Sequence, residues 1–241
     1  MKIKEKIMLD RPGLYQHGPI NVVIFGDSVS HGALTDNIEY ETVYWNLLRK
    51  KLNKFRSFIP VNMINAAICG TTAKLSLSRL ERQVFIHEPD LIIVCFGLND
   101  VNGTLEDYLS SLESIFKKCI EADYDVIFMT PNMLNTYVAP DTAEDLVSCA
   151  AETAEMQNSG KMDSYMASAV NLANELGVTV CDCYSKWKEL SKTQDTTMLL
   201  ANRINHPNPE MHSLFADSLY DIIMADTQNS KENESTMFQK Q

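Results

Sequence analysis

Basic residues are scarce in this chain. Lys and Arg number 21 against 32 Asp and Glu, giving a formal net charge of −11 over 241 residues. No dense basic cluster reverses that balance locally. Nucleic acid and anionic membrane surfaces are therefore excluded as partners, because such binding rests on neutralising phosphates with Lys and Arg. Long apolar runs are also missing, and none reaches the ~20 residues that a membrane-spanning helix needs. The opening stretch MKIKEKIMLDRPGLYQHGPI interrupts its short apolar segments with charges and does not read as a secretory leader. The six cysteines (Cys69, Cys95, Cys119, Cys149, Cys181 and Cys183) form no CxxC pair. A zinc site is not expected, and free thiols in a reducing cytosol, with a cytoplasmic location, fit better. Neither a GxGxxG nor a GxxxxGK(S/T) loop follows any apolar run, which removes the phosphate cradle of a nucleotide binder. Nothing calls for a metal or an organic cofactor.

What is present is an ordinary globular composition, 45% hydrophobic and 22% charged. The length suits one sizeable domain over residues 1–226. The polar remainder, 227–241, has little periodicity and reads as a frayed tail. Five short runs rich in Val and Ile recur: Val22–Phe25, Val61–Ile64, Leu91–Phe96, Val126–Met129 and Val178–Cys181. Without polar alternation, such runs predict strands covered on both faces. Between them lie helical patterns. Leu105, Tyr108, Leu109, Leu112, Ile115, Phe116, Cys119 and Ile120 repeat at helical spacing behind Thr104 as N-cap. Leu75, Leu80 and Val84 are assigned to one helix, and Tyr44, Leu47 and Leu48 to another. Met211, Leu214, Phe215, Leu219 and Ile222 belong to the last, behind Asn208 and Pro209. Residues 131–160 read as a loop followed by a helix. The alternation predicts an α/β architecture with about five parallel strands and helices on both faces.

Such sheets bind ligands beyond the carboxyl ends of their strands. Gly26-Asp27-Ser28 follows the first run, Cys69-Gly70-Thr71 the second and Gly97-Leu98-Asn99-Asp100 the third. Asn205-His206-Pro207 precedes the last helix. Together these supply the parts that acyl transfer needs. A serine hydroxyl becomes a nucleophile when a base takes its proton, and His206 has the imidazole for that. The oxyanion formed on attack needs fixed donors. The backbone N–H of Ser28, the backbone N–H of Gly70 and the side-chain amide of Asn99 are the candidates. Asn132, Asn135 and Tyr137, after the fourth strand, are candidates for lining a substrate pocket.

GDS, Gly, GxND and His, in this order and each after the expected element, resemble the four blocks of the SGNH (GDSL-type) hydrolases. The resemblance spans Gly26 to His206. It implies a flavodoxin-like three-layer α/β/α sandwich and an esterase, deacetylase, lipase or lysophospholipase type of activity. It implies Ser28 as nucleophile, Gly70 and Asn99 as oxyanion donors and His206 as base. One block departs from the pattern. The family usually has Asp three residues before the histidine, and here that residue is Arg203. An arginine cannot accept the imidazole N–H. The reading is therefore a Ser28–His206 dyad in which a backbone carbonyl or water holds His206 Nδ1–H, with Asp182 a weaker alternative. Arg203 should then point away from the ring.

The remaining histidines are given lesser parts: His31 as a rim residue and His212 as a structural one inside the last helix. Asp27 is read as fixing the turn around the nucleophile. Cys69 reads as packing, though a thiol there could sensitise the protein to alkylation. The expected activity is hydrolysis of a small acyl ester, such as an acetylated carbohydrate, through an acyl-serine. An acyltransferase using the same acyl-enzyme, or a non-catalytic binding protein on this fold, are the alternatives. A small-molecule ester is the partner expected. Self-association is left open.

Overall fold

The computed structural model describes residues 2–225, so the polar segment 227–241 lies outside the described residues. Five parallel strands form one sheet: β1 (Ile20–Gly26), β2 (Val61–Asn65), β3 (Leu91–Cys95), β4 (Val126–Met129) and β5 (Thr179–Cys181). Their order is β2-β1-β3-β4-β5. All five apolar runs form strands, but the expected cover on both faces holds for the central β1, β3 and β4 and not for the edge strands β2 and β5, which are only half-buried. Every residue of β3 and β4 is buried.

Eleven α-helices are described: α1 (Lys2–Met8), α2 (Arg11–His17), α3 (Ser28–His31), α4 (Tyr44–Phe55), α5 (Ala73–Leu77), α6 (Leu80–Gln83), α7 (Leu105–Glu121), α8 (Val147–Asn158), α9 (Lys161–Glu175), α10 (Cys183–Leu190) and α11 (His212–Met224). Crossovers between parallel strands are right-handed. The chain moves one way across the sheet from β1 to β2 and the other way through β3, β4 and β5. The connecting helices therefore divide between the two faces. Helix α11 packs against α4 and α1, while α7 packs against α5 and α9. This is the expected three-layer sandwich.

One expectation is corrected. Residues 75–84 are not a single helix but two short ones, α5 and α6, and Leu75 is largely exposed. The break at Ser78-Arg79 has a physical reason. It lets the buried Arg79 guanidinium turn under the sheet edge, where Nη1 donates to the Ala66 carbonyl and Nη2 donates to Ser76 Oγ at 3.0 Å and the Gly26 carbonyl at 3.4 Å. The guanidinium also lies 4.7 Å from the Phe25 ring centroid.

The strand order reverses between β1 and β3, whose last residues Gly26 and Cys95 are paired in register. Open α/β sheets bind ligands at this switch point. The turn after β1 carries Ser28, and the turn after β3 carries Asn99.

Candidate active site

Helix α3 begins at Ser28 and is one turn long. Its N-cap is Asp27, whose Oδ1 accepts from the Val29 N–H at 3.1 Å, and its C-terminus closes on Gly32 in the left-handed region. A short helix start beneath Ser28 leaves backbone N–H groups without intrahelical partners, the arrangement that favours negative charge. Asp27 thus fixes the turn, as its position suggested. Its other oxygen is buried without a partner, and burial pushes its carboxyl up to about 7. Asp100 is similar. Its Oδ1 accepts from the Ala73 N–H at 2.9 Å, and burial raises it to about 6.

Pairing between the ends of β1 and β2 continues past the strands. Ala66 N–H donates to the Ile24 carbonyl at 2.9 Å and Ile68 N–H to the Gly26 carbonyl at 3.1 Å. That extension delivers the Cys69-Gly70-Thr71 turn to the side of Ser28. Gly70 has φ +73 and is exposed, and a Cβ there would meet nothing within 4 Å. Its glycine is required by backbone conformation rather than by crowding. Asn99 Nδ2 donates to the Thr71 carbonyl at 3.1 Å, so the two turns hold each other. An amide has two N–H groups, and the second remains for a ligand.

His206 arrives from the far end of the sequence. Its Nε2 lies 2.9 Å from Ser28 Oγ, and its Nδ1 lies 2.5 Å from the carbonyl oxygen of Leu34. A carbonyl can only accept, so Nδ1 carries the hydrogen and Nε2 presents its lone pair to the serine. Burial lowers the imidazole from its ordinary 6.5, and the Leu34 carbonyl opposes that shift only in part. Leu34 belongs to a strap, residues 32–43, that crosses from α3 to α4. The strap is tied to the histidine loop by Thr35 Oγ1, which donates to the Ala201 carbonyl at 3.0 Å.

The loop around His206 is built by asparagines. Asn202 Oδ1 accepts from the N–H groups of Ile204 at 3.1 Å and of Asn205 and His206 at 3.0 Å. Such capture of successive N–H groups is the local bonding that suits Asn to turns. Arg203, inside this turn, adopts φ +59 and faces outward. Its guanidinium grips Asp141, with Nη2 2.8 Å from Oδ2, and donates through Nη1 to the carbonyls of Leu200 and Met198. It makes no hydrogen bond to His206. Replacing Arg203 by Ala is expected to leave kcat on a short ester within about threefold and to lower stability by about 1 kcal/mol, the scale of one partly exposed ion pair. A tenfold fall in kcat with an unchanged melting temperature would show that the guanidinium acts on the ring.

The structure corrects two of the pocket residues and one alternative. Asn132 and Asn135 are fully buried and do not reach the cleft. Asn132 Nδ2 donates to the carbonyls of Met133 and Asn205, both at 2.8 Å. Asn135 Nδ2 donates to the carbonyls of Tyr137 and Ala150, while its Oδ1 accepts from Thr153 at 2.6 Å. The Asn132 side chain thus braces the histidine loop, which Asn135 reaches only through its backbone N–H, donated to the Ile204 carbonyl at 2.9 Å. Tyr137 is exposed, with its hydroxyl donating to Asp195 at 2.6 Å. Asp182 is no partner of His206, because it caps α10 through Ser185 and accepts from Thr130. Reading the sequence missed Leu34, Asn202 and Arg79. Only Asn202 had a signal, as the first of two asparagines flanking a four-residue turn.

The order of elements agrees with comparisons to known proteins. The model of the GDSL-like lipase/acylhydrolase family matches residues 24–214. The chain belongs to this family. Solved structures give the same fold. An acetylxylan esterase from Geobacillus stearothermophilus matches with a TM-score of 0.67 at 19% identity, covering 85% of this chain and 94% of that one. A lipase/acylhydrolase from Enterococcus faecalis matches with a TM-score of 0.65 at 21% identity, covering 86% and 96%. No curated protein matches. In this GDSL-type hydrolase Ser28 and His206 both lie within the matched residues, and Arg203 is held in a partly exposed ion pair with Asp141. Among its described residues, no helix is long and apolar enough to cross a membrane.

Proposed function

We propose that this hydrolase cleaves small acyl esters through an acyl-Ser28 intermediate, using a Ser28–His206 dyad in which a main-chain carbonyl takes the place of a third side chain. The observation that carries the reading is the alignment Leu34 O···His206 Nδ1, His206 Nε2···Ser28 Oγ, at 2.5 and 2.9 Å.

In the first half-reaction Ser28 Oγ attacks the ester carbonyl carbon while His206 Nε2 takes its proton. The oxyanion is met by the N–H groups of Ser28 and Gly70 and by the Asn99 amide. Removing one such donor costs about 10²–10³ in rate. Collapse of the tetrahedral species expels the alcohol, which receives the proton from Nε2. In the second half-reaction water gives its proton to Nε2 and attacks the acyl carbon. Ser28 then leaves with the proton restored. Each time the ring becomes a cation, Leu34 offers a dipole where a carboxylate would offer a full charge. The cation is less stabilised, in keeping with the lowered imidazole. An acetylated carbohydrate is the favoured substrate class, supported by the acetylxylan esterases among the distant structural matches. Six free thiols favour a reducing compartment.

The test is a fluorophosphonate probe, with a chain-length series of p-nitrophenyl esters alongside. Wild type should label stoichiometrically and Ser28→Ala not at all, and acetate should be turned over faster than octanoate. Labelling that survives in Ser28→Ala would remove the nucleophile assignment, and a preference for octanoate would remove the small-ester reading.

A further inference from the structure

A second constellation sits on the rim, where the Cys69-Gly70 turn passes the strap. Cys69 Sγ lies 3.1 Å from His31 Nδ1, and His31 Nε2 lies 3.3 Å from the Tyr40 hydroxyl. The His31 and Tyr40 rings stack at 6.3 Å between centroids. None of the three has a part in the ester chemistry above.

We propose that Cys69 is a thiol-exchange site served by His31 as its base, that it takes small cationic or neutral aliphatic disulfides, and that the adduct shuts the oxyanion turn at Gly70.

Of the six cysteines only Cys69 and Cys149 are exposed. Partial burial, with the Glu152 carboxylate adding to it, holds the Cys149 thiol up. The partial cover over its sulfur and Asp27 push the Cys69 thiol up too, so it waits as S–H and reacts only if a neighbour takes the proton. His31 is that neighbour. In the tautomer whose Nε2–H is donated to the Tyr40 hydroxyl, Nδ1 carries the lone pair that faces Cys69. The exchange balances without an oxidant. Cys69 sulfur attacks one sulfur of R–S–S–R as its proton passes to Nδ1. The Cys69–S–S–R bond forms and the old disulfide breaks. The departing R–S⁻ takes the proton from the imidazolium and leaves as R–SH.

Charge selects the partner. The strap that follows His31 and includes Tyr40 carries Asp36, Glu39 and Glu41, the last paired with Lys50 at 3.2 Å, and the whole chain is at −11. An anionic disulfide is repelled and a cationic one drawn in. Space at the turn explains the consequence. Gly70 opens onto a region where a Cβ would touch nothing within 4 Å, which leaves room beside the turn for the group that the proposal places on the adjacent Cys69. This last effect rests on the ester-hydrolase reading, whereas the exchange itself does not.

The experiment incubates intact protein with cystamine or with oxidised glutathione. It follows intact mass, the modified peptide and p-nitrophenyl acetate hydrolysis in wild type, Cys69→Ser, Cys149→Ser and His31→Asn. Cystamine should add one cysteamine to Cys69, at least about tenfold faster than glutathione adds. Hydrolysis should fall at least about tenfold and return with dithiothreitol. His31→Asn should slow the addition by about tenfold or more, the lower range of general-base effects. Cys69→Ser should keep its activity in cystamine, as Cys149→Ser should not. Addition mainly at Cys149, or at an unchanged rate in His31→Asn, would overturn the site. Full modification of Cys69 with hydrolysis intact would overturn the closing of the oxyanion turn. His31-dependent addition to a protein that hydrolyses no ester before treatment would support the thiol site while removing the ester-hydrolase reading.

Discussion

His206→Ala is expected to lower kcat on p-nitrophenyl acetate by about 10⁴, with KM little changed. General-base assistance alone is worth about 10²–10⁴, and serine and histidine act as a unit, so the loss should lie at the upper end. That corresponds to about 5.5 kcal/mol of transition-state stabilisation. What remains should come from the N–H donors beside Ser28. The pH profile separates a base from a merely structural histidine. The ring works only when neutral, so wild-type kcat/KM should rise with pH through the ionisation of His206. Burial depresses that ionisation below the ordinary 6.5. The midpoint should therefore fall below 6.5, and the curve should be flat above it until other groups titrate. In His206→Ala this ionisation should vanish from the residual rate. A wild-type midpoint above 6.5 would mean that a negative charge supports the ring after all. A loss of less than tenfold in the variant would take the base role from His206.

Gly26→Ala should be the most damaging single methyl in the molecule. An added Cβ would lie 2.6 Å from the Cys95 carbonyl oxygen and 2.5 Å from Ser30 Oγ. The first is backbone of the neighbouring strand and cannot swing aside. Ser30 Oγ is itself held 2.9 Å from the buried Tyr44 hydroxyl. Overpacking a tight interior costs about 1–3 kcal/mol, and this site belongs at the top of that range. For a domain of this size the melting temperature should drop by about 6–12 °C. Activity should fall further than stability explains, because β1 must shift against β3 two residues before the nucleophile. A melting temperature within about 2 °C of wild type, together with unchanged kcat, would show that the strands separate without consequence. Gly97 is a second place where only glycine fits, at φ +145 with Met166 Cε 2.5 Å from an added Cβ.

The sheet was legible because its central strands β1, β3 and β4 are buried on both sides, which leaves unbroken Val and Ile runs, whereas the edge strands β2 and β5 are only half-buried. The four blocks were legible because strand ends gather them, and the structure does bring Ser28, the Gly70 turn, Asn99 and His206 to one edge. The split between α5 and α6 was not, since it depends on where Arg79 finds carbonyls across the sheet. Asn132 and Asn135 misled for a related reason. A polar residue after a strand faces either the cleft or the neighbouring loop. Which one it faces is set by carbonyls of Asn205 and Ala150 that are remote in sequence. Arg203 was readable as a departure, and its outward turn toward Asp141 follows from a left-handed backbone that only the folded loop dictates. Leu34 could not be read at all, because every residue has a carbonyl.

That last property has an evolutionary consequence. If the acceptor behind His206 is main chain, no codon encodes it, and point mutation at position 34 changes the side chain while leaving the oxygen in place. The inherited trait is then the length and path of the strap between Gly32 and Val43, fixed in part by the Leu34 N–H to the Asn37 carbonyl and the Glu39 N–H to the Gly32 carbonyl. Lineages sharing this arrangement would be recognised by conserved spacing rather than by a conserved residue. Within them the position three before the histidine is free to drift toward whatever the surface requires.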